Sequence, residues 1–456
     1  MNRIVGLETE FGCLAPEGLG APSVPARVRD YLFYQRKLGL IDLHERDYDE
    51  PPGNGGFLFN GGKLYLDMGH VEYCTPECVN LGDVVAYDRV GECLLQQSLS
   101  ALDLGEGVGL YKNNIDHYTG ATFGCHENYS MKRDAPLHEK NVESLLTFLV
   151  VRSVLIGAGR VGSSRTLWPD ENGAALAPDS VPFQMTQRAD FIQTDIYEWV
   201  QFNRAIINAR DEPLADYRRF RRLHLLLGDS NVLPFANALK VGMTGLILDV
   251  LEADRLPYLP LENPVASLRQ LSHSMDPLLP LLQPSQGTIP ALDLLEKFFL
   301  AAEALGQKDA DTVWILEAWR SAMKDLREDP LRLLGRVDWI TKHTLLDQFR
   351  QSENLSWQDP WLESLDLEYH QLDPAKCLAA AFPEYELSAL TLPTPRLNAL
   401  ETDPPDNTRA KARTRLMHEI VKKKHIYVLD WDAVYIPQVA KIILDDPFIA
   451  EWNGEF

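Results

Sequence analysis

The stretch GKLYLDMGHVEYCTPEC, from Gly62 to Cys78, decides how this chain is read. Leu64, Leu66 and Met68 alternate with Lys63, Tyr65 and Asp67, which is the period of a strand buried on one side. The other side of such a strand faces water or a site. Here it carries a cation, a phenol and a carboxylate, and Glu72 and Glu77 follow closely. Either this is a solvated edge with a harmless salt bridge, or it is the floor of a site. As a floor, Asp67 beside Lys63 can act as a metal ligand, a phosphate neighbour or a general base.

A second stretch is built the same way. RIVGLETEFG (3–12) reads as a strand with Leu7 and Phe11 on the buried side and Glu8 and Glu10 together on the other. Carboxylates two residues apart on a strand lie about 6–7 Å apart. That separation suits oxygen-liganded Mg²⁺. An isolated pair of this kind is also common on a solvated face, but two such strands weaken that reading.

The bulk composition sets limits. With 456 residues, 45% of them apolar, the chain can bury a large core and is expected to hold two or three domains. Its net charge of −22 argues against general binding to nucleic acid or membrane surfaces, though a local basic groove stays open. The six cysteines are scattered with no CxxC pair, as in a reducing cytosol. The apolar run 145–156 is interrupted and too short to span a bilayer. The N-terminus MNRIVGLETEFG lacks the apolar core of a signal peptide. A soluble cytoplasmic protein is expected.

Apolar spacing predicts helices over 26–40, 84–102, 141–156, 234–253, 414–425 and most of 287–350, and strands within 108–116, 121–129, 205–213 and 426–436. Residues 13–28 and 44–57 read as loops. The segment 390–408, with Pro393, Pro395, Pro404 and Pro405, reads as a linker. The expected domains are therefore 1–389 and 390–456.

Three clusters carry further candidates. GCHENY (124–129) groups His126, Glu127 and Asn128 as possible ligands. NARDEPLADYRRFRRLH (208–224) is rich in arginine, and Arg210, at an expected strand end, is the candidate phosphate contact; a solvated helix accounts for most of the others. Residues 409–424 carry seven basic side chains, which fit either an acidic partner or a solvated helix whose basic end suits its dipole. GAGRVG (157–162) matches a dinucleotide fingerprint but is rejected, because a helix rather than a strand precedes it.

GLETEFG, NGGKLYLDMGHVEYCTPEC, YKNNID, FGCHENY, INARDEPLADYRRFRRLHLLLGDSN and LKVGMTGLILD, in this order, resemble the Pup ligase and Pup deamidase/depupylase family. That family handles the prokaryotic ubiquitin-like protein and shares an ancestor with glutamine synthetase. The resemblance implies an α+β fold: a curved, mainly antiparallel sheet forming an active-site cradle backed by helices, with a small C-terminal domain. It implies ATP and Mg²⁺ as cofactors, and a Pup-like modifier and lysine-bearing target proteins as partners. Carried across, Glu8, Tyr65 and Glu72 match Mg²⁺ ligands and Asp67 the catalytic aspartate. Lys63, Thr75 and Trp431 match nucleotide contacts. His126, Arg210 and His224 fall in other active-site motifs, and Glu10 lies beside the metal set. Lys63 departs from the family's arginine, keeping the charge and losing the planar fork.

The implied ligase chemistry phosphorylates the modifier's C-terminal glutamate to a γ-glutamyl phosphate, after which Asp67 helps deprotonate a target lysine that attacks it. In the deamidase/depupylase branch the same aspartate supports hydrolysis. ETEFG, GDSN, LDLEYHQL and the C-terminal LDWDAVYIPQVAKIILDDPF look like the ligase branch. RQSENLSW (350–357), the short DMGHVEY spacing and the 44–57 loop of intermediate length look more like the depupylase branch. The expectation is a ligase. A depupylase, a small-molecule carboxylate–amine ligase and a silent modifier-binding relative are the alternatives, though the last predicts lost metal ligands that are all present. An acidic chain that takes an acidic modifier needs a basic groove near Asp67, expected from arginines within 204–222 and 409–424.

Overall fold

Strand β1, Val5–Leu14, is the centre about which the rest is arranged. The computed structural model describes residues 3–16, 22–45, 51–117, 119–163, 181–199, 203–284, 287–306, 309–382, 394–452 and 454. On one side of β1 runs β5 (His70–Cys74), then β4 (Lys63–Asp67), β3 (Gly55–Leu58) and β2 (Gly39–Ile41). On the other side runs β7 (Cys125–Lys132), then β12 (Phe220–Leu225), β11 (Ala205–Asn208) and β10 (Thr194–Tyr197). A short β6 (Gly109–Tyr111) pairs with the far end of β1, completing a ten-stranded sheet. Every pairing in it is antiparallel except β10 with β11. Short ladders β8 with β9 (Arg160–Val161, Phe183–Gln184) and β13 with β14 (Pro280–Gln283, Gly287–Pro290) lie outside it. With helices packed behind the sheet, the architecture is the expected α+β one.

The turn between β4 and β5 has two residues, Met68 and Gly69, both at positive φ (45° and 95°). Such a turn matches the right-handed twist of its strands. Met68 is therefore an exposed turn residue, not the last apolar residue of the buried row. That row is Leu64, Val71 and Tyr73 with Val5, Leu7 and Phe11 of β1. Helix Leu81–Leu102 covers it, started by Asn80, whose side chain accepts from the Asp83 N–H. At Gly91 a Cβ would stand 2.3 Å from the Tyr73 ring, so only glycine lets the helix come this close. Helix Pro234–Glu252 is apolar on nearly all sides and is long enough to cross a bilayer, yet 83% of that span is buried as the spine of the larger core.

Several expected elements come out differently. The segment 26–40 divides into helix Val24–Asp30, one wide turn at Tyr31–Gln35, and β2. The loop over 44–57 yields to β3 from Gly55 onward, and residues 46–50 lie outside the described set. Within 208–224, where a solvated helix was the reading for most of the arginines, residues Phe220–Leu225 form strand β12, because Leu223 and Leu225 bury one side of it. The single strand expected at 426–436 is a hairpin, β15 (Val428–Leu429) and β16 (Ala433–Ile436), extended by β17 (Ala440–Ile443). Around GAGRVG, helix Ser153–Ile156 precedes the glycines, which agrees with rejecting the fingerprint.

The C-terminal unit has its own apolar cluster, with Leu416, Met417 and Ile420 of helix Arg409–Lys423 against Leu429, Val434 and Ile436; Phe57 of β3 belongs to it as well. The expected boundary at 389/390 lies outside the described residues. What fastens this unit is Glu77. Its carboxylate accepts from Arg413 at 2.7 and 2.9 Å and from Arg409 at 2.7 Å, with all three residues buried. Glu77 is thus a structural acid and not a member of the acidic floor. Burial works to raise its carboxyl, but Arg413 and Arg409 outweigh burial and hold it at about 2. The pair's contribution is therefore present above the ordinary value of 4.5 and is lost as the pH falls toward 2. Replacing Glu77 strands two buried guanidinium groups, so Glu77→Gln is expected to lose ~3–5 kcal/mol in urea unfolding at pH 7. The gap between wild type and variant is expected to shrink as the pH is lowered from 4.5. A variant as stable as wild type at pH 7 would show that the clamp is not structural.

Candidate active site

Antiparallel register alone assembles the polar face. Glu8 stands opposite Cys74 on β5 and opposite His126 on β7, and Glu10 stands opposite Glu72. Tyr65 stands opposite Glu72, Lys63 opposite Cys74 and Asp67 opposite His70. Across the next pairing His224 stands opposite Asn128, and Arg222 opposite Ser130. Directly opposed residues share a side of the sheet. Because alternation buries Leu7, Val71, Tyr129 and Leu223, it turns every one of these polar groups the other way.

Two acid-centred groups result. Glu8, His126 and His224 offer ligand atoms within 4.8 Å of one another, and so do Glu10, Asp67 and Glu72. Glu8 lies 3.4 Å from His126 Nδ1 and 3.6 Å from His224 Nε2, and accepts from Asn128 Nδ2 at 3.0 Å. Burial favours its neutral form, yet the bonds to His126 and His224 prevail and hold its carboxyl well below the usual range. Glu72 is pushed the opposite way. Burial, then the charges of Glu8 and Glu10, raise it well above a normal carboxyl. Tyr65 Oη donates to Glu72 at 2.6 Å, and burial with the neighbouring acids keeps this phenol protonated. Glu10 is fixed by the Gly124 N–H, which donates to it at 2.6 Å.

The donor set fits a hard divalent cation. Four carboxylates and a phenol converge on two adjacent spots, and carboxylate-rich oxygen sets are what Mg²⁺ takes. Glu72 resists ionising there because burial, and then the charges of Glu8 and Glu10, favour its neutral form. Asn128 Oδ1 is buried with no hydrogen-bond partner, and His224 Nε2 meets only the Glu8 carboxylate, at 3.6 Å.

Beside Glu8 opens a cleft with about 690 Å³ of empty space, counted out to bulk water. Its walls include Gly6, Glu8, Thr75, Arg222, Arg409 and Trp431. That size and mixture of walls suit a small-molecule ligand. Thr75 Oγ1 accepts from the Leu7 N–H at 3.1 Å, locking the start of β1 to the cleft wall. Trp431 sits at the tip of the β15–β16 hairpin, with the Arg413 guanidinium 5.0 Å over its ring. The C-terminal unit thus contributes one wall of the cleft, held by the Glu77 clamp.

Of the candidates, Glu8, Glu10, Tyr65, Asp67, Glu72, His126 and His224 share the polar face, and Glu8, Thr75 and Trp431 line the cleft. Lys63 lies at the margin, its Nζ 4.7 Å above the Tyr65 ring, lining a smaller hollow with Asp42 and His44. Arg210 does not line the cleft; it is exposed and bonded to Glu212 at 2.9 Å. Arg222 of β12 takes that place, and with Arg409 it puts arginines of 204–222 and 409–424 on the cleft beside Glu8, whereas the basic groove was expected near Asp67, which does not line this cleft. Glu127, expected with His126 and Asn128, turns into the core, where Arg152 donates to it at 2.6 and 2.8 Å and Tyr129 at 2.6 Å. The alternation that places His126 in the site forces Glu127 out of it. Asn128 is the member of the HENY cluster that stays with His126, as the period-2 pattern requires. His70 was missed, and Arg222 was counted only among the arginines of 204–222, because its segment read as helix.

Residues 3–435 match the Pup-ligase protein family. The chain is 34% identical to the Pup-protein ligase of Acidimicrobium ferrooxidans, over 99% of this chain and 96% of that one. It is 34% identical to the Pup-protein ligase of Micrococcus luteus, over 98% and 95%. To the depupylase of Acidothermus cellulolyticus it is 31% identical, over 95% and 91%. Among solved structures, the complex between Pup and its ligase PafA superposes with a TM-score of 0.80 at 29% identity, covering 99% of this chain and 90% of that one. PafA in complex with ADP gives 0.76 at 29% identity, covering 96% and 93%.

Crowded acids predict a trade between stability and ligand binding. In metal-free buffer Glu72→Gln keeps the Tyr65 bond and removes the charge conflict, so it is expected to melt ~1–2 °C above wild type. Excess Mg²⁺ is expected to reverse the order in the same thermal scan. A variant that melts below wild type without metal would contradict the crowding.

Proposed function

The chain belongs to the Pup-ligase family, and from that membership we propose that it is an ATP-dependent ligase joining the C-terminal glutamate of a Pup-like modifier to lysines of target proteins. The observation that carries the reading is the placement of Asp67. It stands at the end of the β4 row, beside Glu10 and Glu72, on the polar face that continues through Glu8 into the cleft lined by Thr75, Arg222 and Trp431. A base there reaches a reaction at the open end of a nucleotide.

When bound, Mg²⁺ and ATP supply the phosphoryl group that turns the modifier's γ-carboxylate into a γ-glutamyl phosphate. Glu8, Glu72 and Tyr65, with Glu10, His126 and His224 beside them, would hold the cation. Thr75, Arg222 and Trp431 line the space for the nucleotide, and Arg222 adds positive charge beside its phosphates, offsetting charge that grows during transfer. Lys63 adds charge from the margin. Asp67 accepts the proton of the incoming lysine ammonium, leaving the neutral amine to attack the acyl carbon; phosphate departs and the isopeptide bond remains. All six cysteines are free thiols, in keeping with a reducing cytoplasm.

The second reading is depupylase, favoured by the RQSENLSW segment and by the relative from Acidothermus cellulolyticus. The two give different products. Incubated with ATP, Mg²⁺, a lysine-bearing target and modifier ending in glutamate, the protein is expected to form conjugate. Asp67→Asn is expected to cut that rate by roughly 10²-fold or more while the dissociation constant for ATP stays within about 3-fold. Ammonia from a glutamine-ended modifier, or cleavage of preformed conjugate with no conjugate made, would assign the depupylase branch instead.

A further inference from the structure

Two guanidinium groups stand at the end of the polar face farthest from the nucleotide cleft. Arg188 is 2% exposed; its Nη1 donates to the Phe123 carbonyl at 2.6 Å, and its buried Nε has no hydrogen-bond partner. Arg204, just before β11, donates from Nη2 to the Thr122 carbonyl at 3.4 Å. Residues 122 and 123 lead directly into Gly124, which bonds both the backbone and the carboxylate of Glu10. The two arginines are therefore held next to the Glu10–Asp67–Glu72 group. The cleft instead runs along Ile4 to Glu8, at the opposite end of β1.

Among the described residues neither arginine forms an ion pair within 4.0 Å. Arg188 is pulled down to about 10, first by burial and then by the like charge of Arg204; Glu10 opposes this. Arg188 is a buried cation and Arg204 a half-buried one, each held by a backbone carbonyl, and a bound anion would offset their desolvation cost. In a chain with net charge −22 they stand out as an anion seat. Two anions come near this site in the proposed reaction, a nucleotide phosphate and a substrate carboxylate. Position favours the carboxylate, since the cleft has its own arginines, Arg222 and Arg409. A C-terminal glutamate has two carboxyl groups about 5 Å apart when extended, from ordinary bond lengths. Seating one leaves the other within reach of the reacting end.

Resting on the Pup-ligase reading, we propose that Arg188 and Arg204 receive the α-carboxylate of the modifier's last residue. The γ-carboxylate of that same residue is thereby presented toward Asp67, and a chain extended or capped at its C-terminus is excluded. Guanidinium groups suit this task because their planar fork matches a carboxylate. They act as specificity-determining residues, and Asp67 keeps the proton transfer.

The test compares a labelled C-terminal peptide of the modifier ending in free glutamate with its α-carboxamide, by fluorescence anisotropy on the full chain. Wild type is expected to prefer the free acid by roughly 10-fold or more. Arg204→Gln, at the less buried of the two arginines, is expected to lose that preference by weakening the acid alone, Arg204→Lys to restore part of it, and the ATP dissociation constant to stay unchanged. Equal binding of acid and amide by wild type would overturn the proposal while leaving the ligase reading intact. So would an Arg204→Gln effect on both peptides alike, or on ATP instead. If wild type bound neither peptide, the functional reading itself would fall, and this inference with it.

Discussion

One constraint organises the molecule: the register in which β1 pairs with β5 on one side and β7 on the other. It sets Glu10 opposite Glu72, and Glu8 opposite both Cys74 and His126. A slip of one residue would turn every one of these groups into the core and bring Leu7 and Phe11 to the surface. The same apolar row that drives the sheet onto helix Leu81–Leu102 therefore fixes the chemistry on its other side. Folding and site assembly are a single event here, and no loop has to be ordered to bring the acids together.

That arrangement concentrates negative charge where a globular protein would ordinarily avoid it. Glu72 is forced toward its neutral form, whereas Glu8 is kept charged by two imidazoles. The difference between neighbouring acids is a strain that the proposed cation would relieve. The imidazole pair widens the choice of metal, because such ligands also suit Mn²⁺ and other transition ions. Balance comes from elsewhere. Glu77 binds Arg409 and Arg413, and through Arg413 the ring of Trp431 is held at the cleft. A buried ion pair at the cleft's edge, outside the acidic floor, thus carries one wall of the site.

Much of this was legible in the sequence, and the reasons are specific. Period-2 alternation over 62–78 and 3–12 is strong, so the strands, their polar sides and Glu8, Glu10, Tyr65, Asp67 and Glu72 could all be read. What failed was any feature that depends on a distant partner. Glu127 looked like a ligand because Arg152, 25 residues on, does not show in the local pattern. Glu77 looked like part of the acidic floor because Arg413 lies 336 residues away. The arginines of 218–222 obscured β12, since charge on one side of a short strand imitates a solvated helix. The hairpin at 426–436 passed for one strand because Asp430, Trp431 and Asp432 give no glycine or proline to announce a turn.

The claim underlying all of this is that the β1, β4, β5 and β7 side chains hold divalent metal against a nucleotide at one spot. Anomalous diffraction from crystals grown with Mn²⁺ and a non-hydrolysable ATP analogue tests it directly. The account predicts Mn²⁺ peaks on the polar face bounded by Glu8, Glu72 and Tyr65, with the triphosphate between them and Arg222. Peaks confined to other acids of the surface, with this face empty and the nucleotide absent from the Trp431 cleft, would contradict it.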